Sequence, residues 1–437
     1  MNELIQPSIL SGFMELLPHE QVVFNRIKHK IKEAFENYGF WPLDTPMIEK
    51  TEILLAKGGG ETSKQIYHIE KGAHSQEQAL RFDLTVPLAR YVAQYHSKLS
   101  FPFRRYQIGK VYRGERSQKG RYREFYQCDI DIIGREKLAI ENDAEIPSII
   151  FTIFQEIGVG DVIFRMNNRK LLNAFFDQLK IEDKEEVLRI IDKLEKIGEE
   201  NVIKELEEID LDKGQIAALL TFIQVGANNE ETLRKMKEVS NEEAYVEALQ
   251  ELEKVFALMQ KFGVPKENIK IDPSITRGLD YYTGTVYETF IQGHEDIGSI
   301  CSGGRYDDLA SNFSKEKFPG IGLSIGLTRL FYKLQEVDML KEKKEAFIEA
   351  LVLPLAEEDK EYAIDVVTYL REHGISSQIY LEMGKMKKKF SYSDSIGAKY
   401  AVIIGQGERE GQLISVKDMD SGDQKLMSKE DFLQMFA

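Results

Sequence analysis

The chain has 437 residues, 73 of them acidic and 58 basic, which gives a net charge of −15, and 42% are apolar. That length predicts two or three domains, and the apolar share is enough to build cores, so disorder as the main state is excluded. No apolar run reaches the roughly 20 residues of a membrane-spanning helix, since the stretch around Ile149 is stopped by Gln155 and Glu156. The opening Met-Asn-Glu-Leu-Ile-Gln lacks the basic and apolar regions of a secretory signal, so a cytoplasmic chain is expected. Cys128, Cys301 and the scattered histidines form no metal-ligand spacing, and no structural metal is expected.

In chain order, Val23, Ile27, Ile31, Phe35 and Tyr38 recur about once per turn and Gly39 follows, which predicts an amphipathic helix over residues 19–38. Pro42 and Pro46 limit residues 40–48 to an edge or irregular strand. Residues 106–112 and 125–133 read as a long antiparallel hairpin around a polar loop. Period two in its second strand puts Gln127, Asp129 and Asp131 on one face and Tyr126, Cys128, Ile130 and Ile132 on the other. A face so polar cannot lie in a dry core without partners.

Residues 182–254 hold 21 acidic against 10 basic side chains, with apolar residues at helical spacing, such as Val187, Ile190, Ile191, Leu194 and Ile197, then Leu249, Leu252, Val255, Phe256 and Met259. Most of the negative excess therefore belongs to one helical block. Some of its ten cations, such as Arg234, Lys235 and Lys237, are expected to cluster on one face. Strands are predicted at 285–291, 298–301 and 321–324, the last leading through Gly326 into a helix that ends near Glu336. A Glu- and Lys-rich connector covers residues 336–344. Beyond it a βαβαββα pattern predicts a separate small α/β domain with a basic helix near Lys385, Lys387, Lys388 and Lys389.

Residues 104–123 reverse the charge balance: Arg104, Arg105, Lys110, Arg113, Arg116, Lys119, Arg121 and Arg123 face a single acid, Glu115. Arginine suits phosphate because its planar fork donates paired hydrogen bonds and stays charged. These arginines, with Arg329 at a helix start, can surround a triphosphate, and Phe125 can stack on a base. A surface ion-pair network explains the same residues, and both readings stand at this level.

Five motifs carry a resemblance. Gly39-Phe-Trp-Pro-Leu-Asp-Thr-Pro-Met47 resembles motif 1 of class II aminoacyl-tRNA synthetases, whose proline lies at the dimer interface. Tyr112-Arg-Gly-Glu-Arg116 with Gly120-Arg-Tyr-Arg-Glu-Phe-Tyr-Gln127 resembles motif 2, and Gly320-Ile-Gly-Leu-Ser-Ile-Gly-Leu-Thr-Arg-Leu330 resembles motif 3. Arg277-Gly-Leu-Asp-Tyr-Tyr-Thr-Gly284 and Ser302-Gly-Gly-Arg-Tyr-Asp-Asp-Leu309 are similar to the pair specific to the histidyl-tRNA synthetase family. Gly320, Gly322 and Gly326 are not taken as a dinucleotide loop, because a lone glycine spacing is weak evidence.

The resemblance implies an α+β catalytic domain with a mixed, mainly antiparallel sheet flanked by helices, at residues 1–166 and 266–335. It further implies a mainly helical insertion at 167–265, a linker at 336–346 and an anticodon-binding α/β domain at 347–437. Histidine would be activated by ATP to histidyl-adenylate and pyrophosphate, then moved to the 3′ end of its tRNA, with Mg2+ arriving on the ATP and the protein a homodimer. By the same resemblance Arg113 and Arg277 hold the α-phosphate and the histidine carboxylate. Arg121 and Arg329 hold the outer phosphates and adenine side, with Phe125 stacked on adenine and Glu115 nearby. Asp83, Thr85 and Gln127 take the α-amino group, Asp131 and Tyr282 face the imidazole, and Tyr281, Gly304 and Tyr306 complete the pocket.

Thr328 departs from the acidic residue the family usually carries before the motif 3 arginine, which leaves the partner of Arg329 open. Asp83 and Asp131 stand where some branches use Glu. Asp129 is expected to be structural, and both cysteines packed or pocket-lining thiols rather than catalytic. The rival reading is the synthetase-like regulatory subunit of ATP phosphoribosyltransferase, which would lack the C-terminal domain and erode the histidyl-specific motifs.

Overall fold

The computed structural model describes residues 4–56, 65–70, 77–116, 120–191, 193–224, 226–275, 282–340 and 347–436. The chain divides into two compact units, residues 1–339 and 340–437. In the first, the described strands are β1 (Trp41–Pro42), β2 (Ile48–Lys50), β3 (Gln78–Leu80), β4 (Phe103–Tyr112), β5 (Glu124–Ile133), β6 (Val162–Asn168), β7 (Ile269–Ile271), β8 (Thr285–Ile291), β9 (Cys301–Tyr306) and β10 (Gly320–Gly326). Eight of them form one sheet in the order β1-β4-β5-β10-β9-β8-β6-β7. Its inner pairs are antiparallel, and only the outer pairs β1–β4 and β6–β7 are parallel. The expected mixed, mainly antiparallel sheet is therefore present. β2 and β3 pair separately.

The predicted first helix is Pro18–Asn37, started by Pro18, whose missing N–H costs nothing at a helix entrance, and by Glu20, which accepts from the Leu17 amide at 2.8 Å. Gly39, at φ 77°, follows its end. The buried stripe is Phe24, Ile27, Ile31, Ala34 and Phe35, so the apolar face is rotated away from Val23 and Tyr38. This helix packs on Glu141–Ile157, which also lies against β10 and Glu243–Lys261.

The hairpin β4–β5 pairs without interruption over ten residues of each strand. It starts three residues earlier than the pattern predicts. The 298–301 expectation is displaced: β9 begins at Cys301, because Gly298 (φ 76°) turns the chain there. Of residues 40–48, only Trp41–Pro42 joins the main sheet.

The helical block follows β6 as Arg169–Gln178, Lys184–Ile191, Leu194–Ile197, Glu199–Glu208, Lys213–Ile223, Asn229–Val239 and Glu243–Lys261. Among the described residues the three named cations offer no unpaired basic face. Arg234 pairs with Glu238 at 2.8 Å, Lys235 with Glu231 at 3.4 Å and Lys237 with Glu253 at 2.7 Å, so each cation is neutralised locally.

In the second unit β11 (Ala350–Pro354), β12 (Ser377–Ile379), β13 (Tyr400–Ile404), β14 (Ile414–Asp418) and β15 (Gln424–Met427) form a sheet in the order β12-β11-β13-β14-β15. The expected pattern lacks two observed elements, the short helix Gln406–Gly411 and β15. The basic helix is Met386–Ser395, but Lys389 does not belong to a solvated cluster: it is buried and its ammonium donates to the Pro354 carbonyl at the end of β11.

Candidate active site

Strand register puts the chemistry on one face of the sheet. Gly109, Gln107 and Arg105 of β4 stand opposite Gln127, Asp129 and Asp131 of β5, and Gly326, Ser324 and Gly322 of β10 stand opposite the same three on the other side. Ser302 and Gly304 of β9 continue the rows from Ser324 and Gly322. The polar face read from period two is thus real, and it is buried: Gln127, Asp129 and Asp131 are each exposed by 9% or less.

Toward the loop end of the hairpin lies a cavity of about 250 Å³. It collects Arg113, Glu115, Arg121, Phe125, Gln127 and Arg329 from the predicted set, and Cys301 as one of the two cysteines expected to pack or line a pocket, with Ser324 as lining that sequence reasoning did not single out. Arg113 is held by its Nε, which donates to the Phe82 carbonyl at 3.0 Å, and its guanidinium lies 5.2 Å from the Phe125 ring centroid. Arg121 sits at the rim with Glu115 3.7 Å away. Arg329, in the first turn of Leu327–Glu336, donates through Nη2 to the Ile297 carbonyl at 3.0 Å. That contact answers the question raised by Thr328. The Thr328 hydroxyl is buried and accepts from the Tyr126 amide at 2.9 Å, tying the helix start to β5.

Further along the same face a second group forms around Asp131. Arg105 Nη2 stands 2.8 Å from Asp131 Oδ2, and the Tyr306 hydroxyl donates to Oδ1 at 2.6 Å. Burial raises the Asp131 carboxyl, and Arg105 and Tyr306 oppose that shift. Glycines make the room: a Cβ on Gly322 would overlap Asp131 Oδ1, and one on Gly320 would overlap the Tyr306 ring. A Cβ on Gly304 would come 3.1 Å from the Tyr282 ring, so Tyr282 packs directly over it. Asp83 Oδ1 accepts from the Val86 amide at 3.1 Å, at the start of Thr85–Tyr95. Arg277 and Tyr281 lie outside the described residues.

In the sequence Arg105 stands only as part of a basic run, yet it is fully buried as the counter-ion of Asp131. Its signal was its register: an arginine on the face that a paired strand fills with carboxylates. Arg81 is likewise structural. Its Nε donates to the Lys110 carbonyl at 2.9 Å and its Nη1 to the Thr45 carbonyl, which pins the segment after β1 to the hairpin.

A sequence model of histidyl-tRNA synthetase matches residues 12–330, and one of an anticodon binding domain matches residues 349–437. The chain belongs to the histidyl-tRNA synthetase family. A histidine–tRNA ligase of Clostridium tetani is 53% identical over 99% of this chain and 98% of its own length, and one of Finegoldia magna is 50% identical over 99% of both. The crystal structure of a Nostoc histidyl-tRNA synthetase superposes with a TM-score of 0.87 at 39% identity, covering 99% of this chain and all of that one. A Bacillus halodurans protein described as an ATP phosphoribosyltransferase regulatory subunit/histidyl-tRNA synthetase has a TM-score of 0.75 at 19% identity over 93% of this chain, a likeness of fold alone. The regulatory reading is not favoured. Among the described residues no helix is long and apolar enough to cross a membrane.

Proposed function

We propose that this chain ligates histidine to its tRNA in two steps, and that the rows of β4, β5, β9 and β10 hold both small substrates. One observation carries the reading: three arginines, Arg113, Arg121 and Arg329, converge on a cavity that reaches Gln127, the first of a row of buried acceptors, Gln127, Asp129 and Asp131, on one sheet face. A nucleoside triphosphate suits the first region and an ammonium-bearing amino acid the second. Carboxylate attack on the α-phosphorus forms the histidyl-adenylate and expels pyrophosphate. Charge builds on the α-phosphate oxygens, where Arg113 and Arg277 act as fixed cations. Mg2+ enters with the triphosphate, which supplies most of its ligands.

Gln127, Asp83 and Thr85 are assigned to the α-amino group, and Asp131 and Tyr282 to the imidazole, with Gly304, Tyr306 and Tyr281 lining the pocket. Arg121 and Arg329 are assigned to the outer phosphates and Phe125, beside Glu115, to the adenine. Residues 167–265 are proposed as the insertion over the tRNA acceptor arm and residues 347–437 as the anticodon-binding domain. A homodimer through motif 1 is supported by Trp41, 71% exposed on a two-residue edge strand, and by exposed Met47 and Ile48.

The test is exchange of labelled pyrophosphate into ATP. Exchange is expected with histidine alone among the amino acids, and Arg113→Ala is expected to lower it about 10²- to 10³-fold in a protein that stays folded. Equal exchange with other amino acids would overturn the assignment.

A further inference from the structure

The rows of the sheet contain one pair that the substrate assignments leave unused. Ser324 stands directly opposite Asp129, and Gln127 lies one step along the same face of β5. Gln127 Nε2 donates to Ser324 Oγ at 2.8 Å. Among the described residues, Gln127 Oε1 and Asp129 Oδ1 are buried without a hydrogen-bond partner. The Ser324 hydroxyl also interacts with the Asp129 carboxylate and favours its charged form.

Above about pH 7 Asp129 is ionised; a carboxylate only accepts, so there the serine must spend its single proton on Asp129. The serine lone pairs are then left facing Gln127, and they select its NH₂ group rather than its carbonyl. The amide cannot turn over without placing two acceptors against each other. Its Oε1 is thereby left for the cavity that Gln127 and Ser324 both line. A carbonyl there attracts an ammonium group, whereas the flipped amide would repel it.

We propose that Ser324 and Asp129 are positioning residues that fix the polarity of the Gln127 amide and so set the affinity for the α-ammonium of the amino acid. This rests on the assignment of Gln127 to the amino group made above. Asp129 is therefore more than a structural acid, although it touches no substrate itself.

The test measures histidine KM in pyrophosphate exchange for the wild type, Ser324→Ala, Asp129→Asn, the double variant and Gln127→Ala. Loss of one oriented hydrogen bond predicts a rise in histidine KM of roughly tenfold for Ser324→Ala, with a much smaller change in kcat or ATP KM. Asp129→Asn is expected to raise KM on its own and to add nothing in the Ser324→Ala background, because it acts through the serine. Ser324→Thr, which keeps the hydroxyl, is expected to restore affinity. Inhibition by imidazolepropionate, which lacks the amino group, should be equal in wild type and variants. Additive effects of the two substitutions, or equal weakening of the inhibitor, would overturn the proposal. If Gln127→Ala raises KM and Ser324→Ala does not, the proposal alone fails. If Gln127→Ala also leaves KM unchanged, the amino-group assignment itself is wrong.

Discussion

Asp129 also has a thermodynamic signature. Burial raises its carboxyl to about 7, with Asp131 and Asp83 adding to the shift and Arg105 and Ser324 opposing it. In the unfolded chain the same group titrates in the ordinary carboxylate range near 4. The folded state therefore holds a proton that the unfolded state has lost, and stability falls as pH rises through the interval between the two values. That interval spans about three units at roughly 1.4 kcal/mol each, so this group costs about 4 kcal/mol once the pH has passed it, about 3 of it lost between pH 5 and 8. Asp129→Asn removes the titration while keeping the shape. Urea denaturation followed by circular dichroism at about pH 5 and 8 is expected to show the wild type losing about 3 kcal/mol more than the variant across the range. Parallel pH profiles would refute the reasoning, as they would mean that Arg105 holds Asp129 charged throughout.

Three further outcomes follow from the packing. Asp143, fully buried, receives Nε and Nη2 of Arg305, the latter at 2.7 Å, so Asp143→Asn is expected to lower unfolding stability by about 3 to 5 kcal/mol, while the paired replacement Asp143→Leu with Arg305→Met loses less. Gly322→Ala drives a Cβ into Asp131, and is expected to raise histidine KM more than ATP KM in steady-state assays. Trp41→Glu places a charge on the exposed edge strand, and sedimentation at micromolar concentration is expected to show a monomer if motif 1 forms the dimer.

The elements legible in the sequence were those whose period survives in the residues themselves. The hairpin alternates cleanly, the first helix carries a continuous apolar stripe, and the small α/β domain is punctuated by turns. β9 was harder because Ser302, Gly303 and Gly304 remove the branched residues by which strands are read, and the reason for that lies in a partner strand. A Cβ on Gly303 would overlap the Gly322 carbonyl, so close approach of β9 and β10 demands glycine at a position where propensity argues against a strand. The motif 3 glycines Gly320 and Gly322 lie in strand β10 and not in a nucleotide loop, and their purpose appears only when Tyr306 and Asp131 are seen above them. Arg105 shows the same limit from the other side: a chain of basic residues does not reveal which cations face inward until the register is known. The motifs showed which residue types mattered, and pairing across strands decided which of them meet.

The hairpin strand β5 has one more consequence. Gln127 and Asp131 are separated by four residues of a strand locked on both sides, to β4 and to β10, and their spacing is set by the backbone pleat at about 3.4 Å per residue. The strand works as a ruler whose marks cannot drift independently. One residue inserted between them would turn the far mark to the opposite face, beneath the helices, whereas two would return it to the right face at the wrong distance. Change in what this face selects is thereby confined to exchanging side chains in place, because the sheet leaves no route by altered length.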